Sequence, residues 1–223
     1  MSIPNVGREE AHYSFSIRLA RPQLYRIEWE QSEPNMVAKG AVWSAGDGNF
    51  VTVPGQASPL RPKDLSTALS MATGVSGGAA ATLPSLFFGL GYDKVKGLRG
   101  ATFGPVGNIE GDPCYVIKEN SGPVGVTMWI SKKSKLVRQI RNDFNGPMNF
   151  PKMTDEGFKK VVQSMGQEPT AAAIERMKAE MDNARTMMSS GVTGFSIEVQ
   201  RQIVVNATFR KADFIPQNAP ASK

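Results

Sequence analysis

A strict two-residue alternation in the first third of the chain limits what it can fold into more than any other feature. In HYSFSIRLA, Tyr13, Phe15, Ile17 and Leu19 fall on one side, and Ser14, Ser16 and Arg18 on the other. In LYRIEWEQ, Tyr25, Ile27 and Trp29 stand opposite Arg26, Glu28 and Glu30. Successive side chains of a strand point to opposite faces, so this pattern buries one face of a strand and wets the other. Pro22 between the two runs lacks an amide donor and suits a turn, which makes the pair antiparallel. NMVAKGAVWSAG and NFVTVPG follow, parted by the tight-turn signal GDG, and complete a four-stranded meander.

The pattern changes at Pro59. SPLRPKDLSTALSMATG places Pro62 at a helix start, Leu65, Leu69 and Ala72 on one helical face, and Gly74 as a stop. LPSLFFGLG is a short apolar helix or turn that carries Leu83, Leu86, Phe87, Phe88 and Leu90. The glycine-rich GVSGGAAA between them is open to two readings, a loop joining two core helices or the hinge of a mobile lid. The stretch 77–90 is the longest apolar and small-residue run, and Pro84 and several glycines interrupt it. No run approaches the roughly 20 apolar residues of a membrane span.

From Lys94 four further strands are predicted: ATFGPVGNIEG, DPCYVIKEN, GVTMWISKK and KLVRQIRNDF. In the third, Val126, Met128 and Ile130 share one face, while Thr127 and Trp129 share the other. Trp129 therefore occupies the face the aliphatic residues leave, either as sealed core or as a ligand contact, and Trp43 carries the same two readings. A helical insertion spans about 147–191. Thr154 caps its first helix, TDEGFKKVVQSMG, ahead of first-turn acids. Its second helix recurs in Ile174, Met177, Met181, Ala184 and Met188, a methionine stripe that is either ordinary core or an adaptable apolar surface. GFSIEVQRQIVV gives another strand, and FRKADFIPQNAP a terminal edge segment.

Composition narrows the chemistry. One histidine and one cysteine exclude a Cys/His zinc site or a disulfide within one chain. A serine triad has only His12 to use and no G-x-S-x-G elbow, so His12 reads as a strand-surface residue and Cys114 as a buried thiol. Asp47, Glu110 and Asp112 read as turn residues, and Asn206 begins a glycosylation sequon. Glycine-rich phosphate loops are absent. The balance of 26 basic to 20 acidic residues favours anionic partners only weakly, and the scattered cations form no nucleic-acid motif. No catalytic residue, cofactor or metal is expected.

The order of motifs LARPQLYRIEWEQ, VAKGAVWSAG, DPCYVIKEN, GVTMWISKKSKLVRQIR and FRKADFIPQ resembles the LolA-like/LolB-like superfamily of bacterial outer-membrane lipoprotein carriers and related envelope proteins. The likeness covers most of the chain outside about 147–191. It implies an unclosed half-barrel whose concave apolar face is covered by helices and takes acyl chains. It further implies that Arg21 holds a helical lid closed, that Tyr25 handles cargo, and that Phe87 and Phe88 lie in the lid. In that family a signal peptide, an amphipathic helix and one more strand precede the point where this chain begins. MSIPNVGREE has no apolar core of a signal peptide, which fits either a cytoplasmic protein or a trimmed mature form; the resemblance implies the trimmed form, in the periplasm or cell envelope.

The expectations are therefore these: an α+β fold of one domain over 1–223, with a strongly curved antiparallel sheet covered by helices, located in the periplasm or cell envelope. Its partner would be a lipid or a lipoprotein acyl chain, held near Arg21, Tyr25, Trp43, Phe87, Phe88, Trp129, Met177 and Met181. The alternative is a non-enzymatic protein-interaction or envelope-stress sensor domain whose methionine helix fills its own interior and whose partner is another envelope protein. A hydrolase would show itself as an exposed polar cleft with a perturbed carboxylate.

Overall fold

The computed structural model describes residues 10–33, 36–52, 58–90, 100–121, 123–147, 152–189 and 191–217. Among them are ten strands and four α-helices, and every strand pairing is antiparallel. The fold is α+β. Its strands divide into two sheets rather than one strongly curved sheet, and neither is barrel-like. The chain forms two compact units, Met1–Thr82 with Arg210–Lys223, and Leu83–Phe209.

The first unit holds the predicted meander: β1 (His12–Ala20), β2 (Leu24–Glu33), β3 (Met36–Ser44) and β4 (Phe50–Thr52), in that order. Phe15, Ile17 and Leu19 stand across from Trp29, Ile27 and Tyr25, which themselves face Gly40, Val42 and Ser44. The indole of Trp29 lies directly over Gly40 and leaves no room there for a Cβ. The rest of the strand predicted over NFVTVPG, 53–55, lies outside the described residues. Helix α1 (Leu65–Thr73) packs beside β3 and β4 and buries Leu65, Ala68, Leu69 and Ala72. It begins after the cap Asp64, whose Oδ1 accepts the Thr67 amide at 2.8 Å, rather than at Pro62.

The second unit is a six-stranded sheet in the order β10–β9–β8–β7–β5, with β6 also paired to β7. Its strands are β5 (Thr102–Phe103), β6 (Gly107–Ile109), β7 (Asp112–Ser121), β8 (Val124–Ser131), β9 (Val137–Gly146) and β10 (Val192–Val199). The single strand predicted over ATFGPVGNIEG is two short ones, because Pro105 cannot donate to a ladder; the Gly104 amide still reaches Val116 O at 2.8 Å. Similarly, β10 stops at Val199, and Gln202 turns the chain with a φ of 52°, so 203–205 are exposed and outside any strand. The terminal segment is a 3-10 turn, Lys211–Phe214, rather than an edge strand.

Helix α2 (Thr82–Phe88) precedes the sheet. Helices α3 (Asp155–Ser164) and α4 (Ala171–Ser189) form the insertion and pack on each other. Lys178 joins them, 3.0 Å from Asp155 and 2.8 Å from Glu175. Phe158, Val162 and Ile174 are buried, Met177 and Met181 are half-buried, and Ala184 is exposed, so the stripe thins along the helix. The Met188 side chain lies outside the described residues.

These contacts make opposite predictions for two glycines. Gly40→Ala forces Trp29 aside and should lower stability by about 1–3 kcal/mol. Gly74→Ala meets nothing within 4 Å at a helical φ of −65°, and should raise stability by about 0.4–1 kcal/mol. Urea denaturation of both variants measures the contrast.

Candidate functional site

Alternation along β8 sorts the second sheet into two faces. Val126, Met128 and Ile140 form a buried apolar cluster on one of them, and Leu83 and Leu86 of α2 pack against it together with Val137. Three residues apart, Leu83 and Leu86 share one side of their helix. A helix of two turns is too short to persist in water alone, so α2 owes its form to this contact. It closes with Gly89 at a φ of 66° and the Leu90 amide on Ser85 O at 3.0 Å, a glycine-terminated helix end. Phe87 and Phe88 are half-buried and meet edge to face, 5.0 Å apart.

Trp129 lies on the other face. A Cβ built on Gly107 would come within 2.7 Å of its Cδ1 and 2.9 Å of a Val116 methyl, so the half-buried indole reaches across β7 to lie over the glycine of β6. Trp129 and α2 are thus on opposite sides of one sheet. In the first unit, Tyr25 and Trp43 also take opposite faces. Tyr25 is fully buried, its hydroxyl donating to Asn49 Oδ1 at 2.8 Å. Trp43 stacks on Phe50 at 5.3 Å within a cluster that includes Ala41. Arg21 is exposed in the turn between β1 and β2. Met177 and Met181 remain on the helical insertion. Of the eight candidate residues, three belong to the first unit and five to the second.

The second unit also contains a polar cleft of about 530 Å³ at the ends of β7 and β9. Arg138 is its hub. Trp129 pairs with Gln139 and Ile130 with Val137, so Arg138 has no partner on β8 and occupies a bulge. Its Nη1 donates to Asp112 Oδ2 at 2.7 Å, and its Nη2 lies 3.6 Å from Glu110 Oε2. Arg201 Nε donates to Glu110 Oε1 at 2.6 Å. The Ser131 hydroxyl donates to Asp112 Oδ1 at 3.0 Å and accepts the amides of Lys133 and Ser134 at 3.2 and 3.0 Å. Both Asp112 oxygens and the Ser131 proton are therefore committed to holding the hairpins together, an arrangement for gripping rather than for attack.

Sequence reading placed Glu110 and Asp112 in turns and missed Arg138, because a bulge depends on the partner strand. His12 is exposed on β1, 3.9 Å from Glu10. Burial, and then the Asp112 carboxylate, push the Cys114 thiol up, as suits a structural cysteine. Among the described residues no three His, Cys, Asp or Glu side chains gather to hold a metal. No helix among them is long and apolar enough to cross a membrane.

Burial first and the nearby Asp64 second raise the Tyr25 phenol well above its ordinary value of 10.0. A raised value means that the folded state holds the proton the unfolded state releases. This stability is whole below about pH 10 and is lost as pH rises through the folded value. Tyr25→Phe should cost about 1 kcal/mol at neutral pH through the lost Asn49 bond, and should flatten the alkaline decline, as read by denaturation at successive pH values. No family model matches the chain, and neither a curated protein nor a solved structure matches it.

Proposed function

We propose that the protein is a non-enzymatic binding protein of the cell envelope that takes an acyl chain or a similar apolar ligand beneath α2. The observation that carries this reading is the cover itself: a two-turn helix, flanked by glycine-rich turns, laid through Leu83 and Leu86 on the apolar face of Val126, Met128 and Ile140. Hiding that face stabilises the closed form by about 25 cal/mol per Å² of apolar area, and a chain of methylenes competes for the same area. The resemblance to lipoprotein carriers supports the same mechanism, with a periplasmic location and a lid as its finer features.

A second reading has its own support. Tyr25 and Trp43, the aromatics the resemblance and the strand pattern assign to cargo, are sealed in the first unit's packing. Phe195 and Ile197 are instead 48% and 46% exposed on the edge strand β10. A protein-interaction domain with filled interiors accounts for both facts, its partner docking on that edge.

Native mass spectrometry with lipid extraction, followed by hydrogen exchange over 82–88 during palmitate titration, separates the two. The carrier reading predicts one bound acyl chain per protein and faster exchange in α2 once the ligand enters. It also predicts that Leu86→Ala, which weakens the competing cover, binds palmitate several-fold more tightly. Absence of bound lipid together with unchanged exchange would overturn it in favour of the second reading.

A further inference from the structure

Three residues around the polar cleft adopt a backbone conformation that side chains other than glycine rarely take. Glu110, Lys135 and Gln202 have φ of 51°, 63° and 52°, and Asn206 is the one other non-glycine case among the described residues. Glu110 and Gly111, the latter at 85°, are the two-residue loop between Ile109 and Asp112, where a turn with two left-handed positions is required. Asn, Asp or Gly meets that requirement at least cost. A glutamate meets it at greater cost and gains the placement of its carboxylate between Arg138 and Arg201. Lys135 occupies a left-handed position in the β8–β9 loop where glycine or asparagine is the cheap choice. Backbone strain gathered at one cleft, next to a bulge that aims an arginine into it, is the pattern of a binding site rather than of a turn chosen for stability alone.

The charges give the ligand class. Arg138 is fixed by Asp112, but its second nitrogen reaches Glu110 only loosely at 3.6 Å. Glu110 is 45% exposed and tethered chiefly by Arg201. Lys133 lines the same cleft and makes no ion pair among the described residues. Leu136 and Ile203 give the cleft an apolar wall. Two guanidinium groups thus meet on a carboxylate that is open to solvent, and an ammonium lines the same cleft. An external oxyanion can replace it, because guanidinium forks bind carboxylate and phosphate alike.

We propose that this cleft binds the phosphate-type oxyanion of a small amphiphile, with Arg138, Arg201 and Lys133 as its cations and Glu110 as the internal anion that it displaces. The site shares no residue with the apolar face under α2 and stands or falls separately from it.

The test is calorimetric titration of the full chain at low salt with hexyl phosphate. A parallel arm uses phosphatidylcholine vesicles containing one part in three phosphatidylglycerol, which presents the same chemistry as a headgroup. Glu110→Gln removes the competing anion and should tighten binding at least about fivefold, whereas Lys133→Ala should weaken it by a similar factor. Glu168→Gln deletes the same charge on an exposed residue of the insertion, and should change little. Saturable binding of hexyl phosphate with this pattern assigns a soluble ligand, and the same pattern on vesicles alone assigns a lipid headgroup. No binding in either arm, or equal effects of Glu110→Gln and Glu168→Gln, would overturn the proposal.

Discussion

A strand has two faces, and β8 divides its residues between them so that the rest of the second unit follows. Val126 and Met128 join Ile140 on the side that α2 covers, while the half-buried Trp129 on the other side lays its indole over Gly107 of β6. Because the side-chain period is two, a one-residue slip in register would send Trp129 under α2 and Met128 against Gly107. The observed register requires glycine at 107, since a Cβ there would collide with the indole. The aromatic face keeps Trp129 half-buried, and the aliphatic face is covered by a short helix through Leu83 and Leu86.

The first unit depends on a buried charge. Arg26 is 7% exposed, and its guanidinium bonds Glu28 Oε2 at 2.7 Å and the carbonyls of Ile215 and Asp213 at 3.0 and 3.4 Å, with Arg18 adding a second bond to Asp213 O at 3.0 Å. A buried cation without partners is costly, so the meander needs carbonyls that it does not itself contain. They arrive only after the chain has run through residues 83–209 and returned. Phe214, fully buried between the two carbonyl-bearing residues, anchors the returning segment. The carboxylate of Asp213 accepts the Arg210 amide at 2.7 Å, which holds it below the usual range and shapes the turn that presents its carbonyl.

What the sequence made legible was local. The alternation of Tyr25, Ile27 and Trp29, the Thr154 cap and the separation of Trp129 from Met128 all follow from spacing a few residues long. The methionine helix was readable as a helix, but not the half-buried state of Met177 and Met181, which depends on how much surface α3 offers. The roles of Arg21 and Tyr25 were implied by resemblance and those of Trp43 and Trp129 by strand alternation; Tyr25 and Trp43 take opposite faces of the first unit's meander, and Trp129 lies in the second unit. The polar cleft was out of reach because it joins residues 110–113, 131–138 and 202–203 through strand pairing and a bulge, and nothing in the sequence near Arg138 announces that β8 skips it. A glutamate ahead of Gly111 was the one local hint, since that turn prefers asparagine.

The claim that α2 is a removable cover over an apolar ligand face is tested most directly by methyl-resolved NMR during titration with a spin-labelled stearate, which broadens signals near the bound label. The account predicts that methyl resonances of Val126, Met128 and Ile140 broaden saturably while the Trp129 indole signal on the opposite face stays sharp. Broadening centred on Trp129, or no saturable broadening at any of these positions, would contradict it.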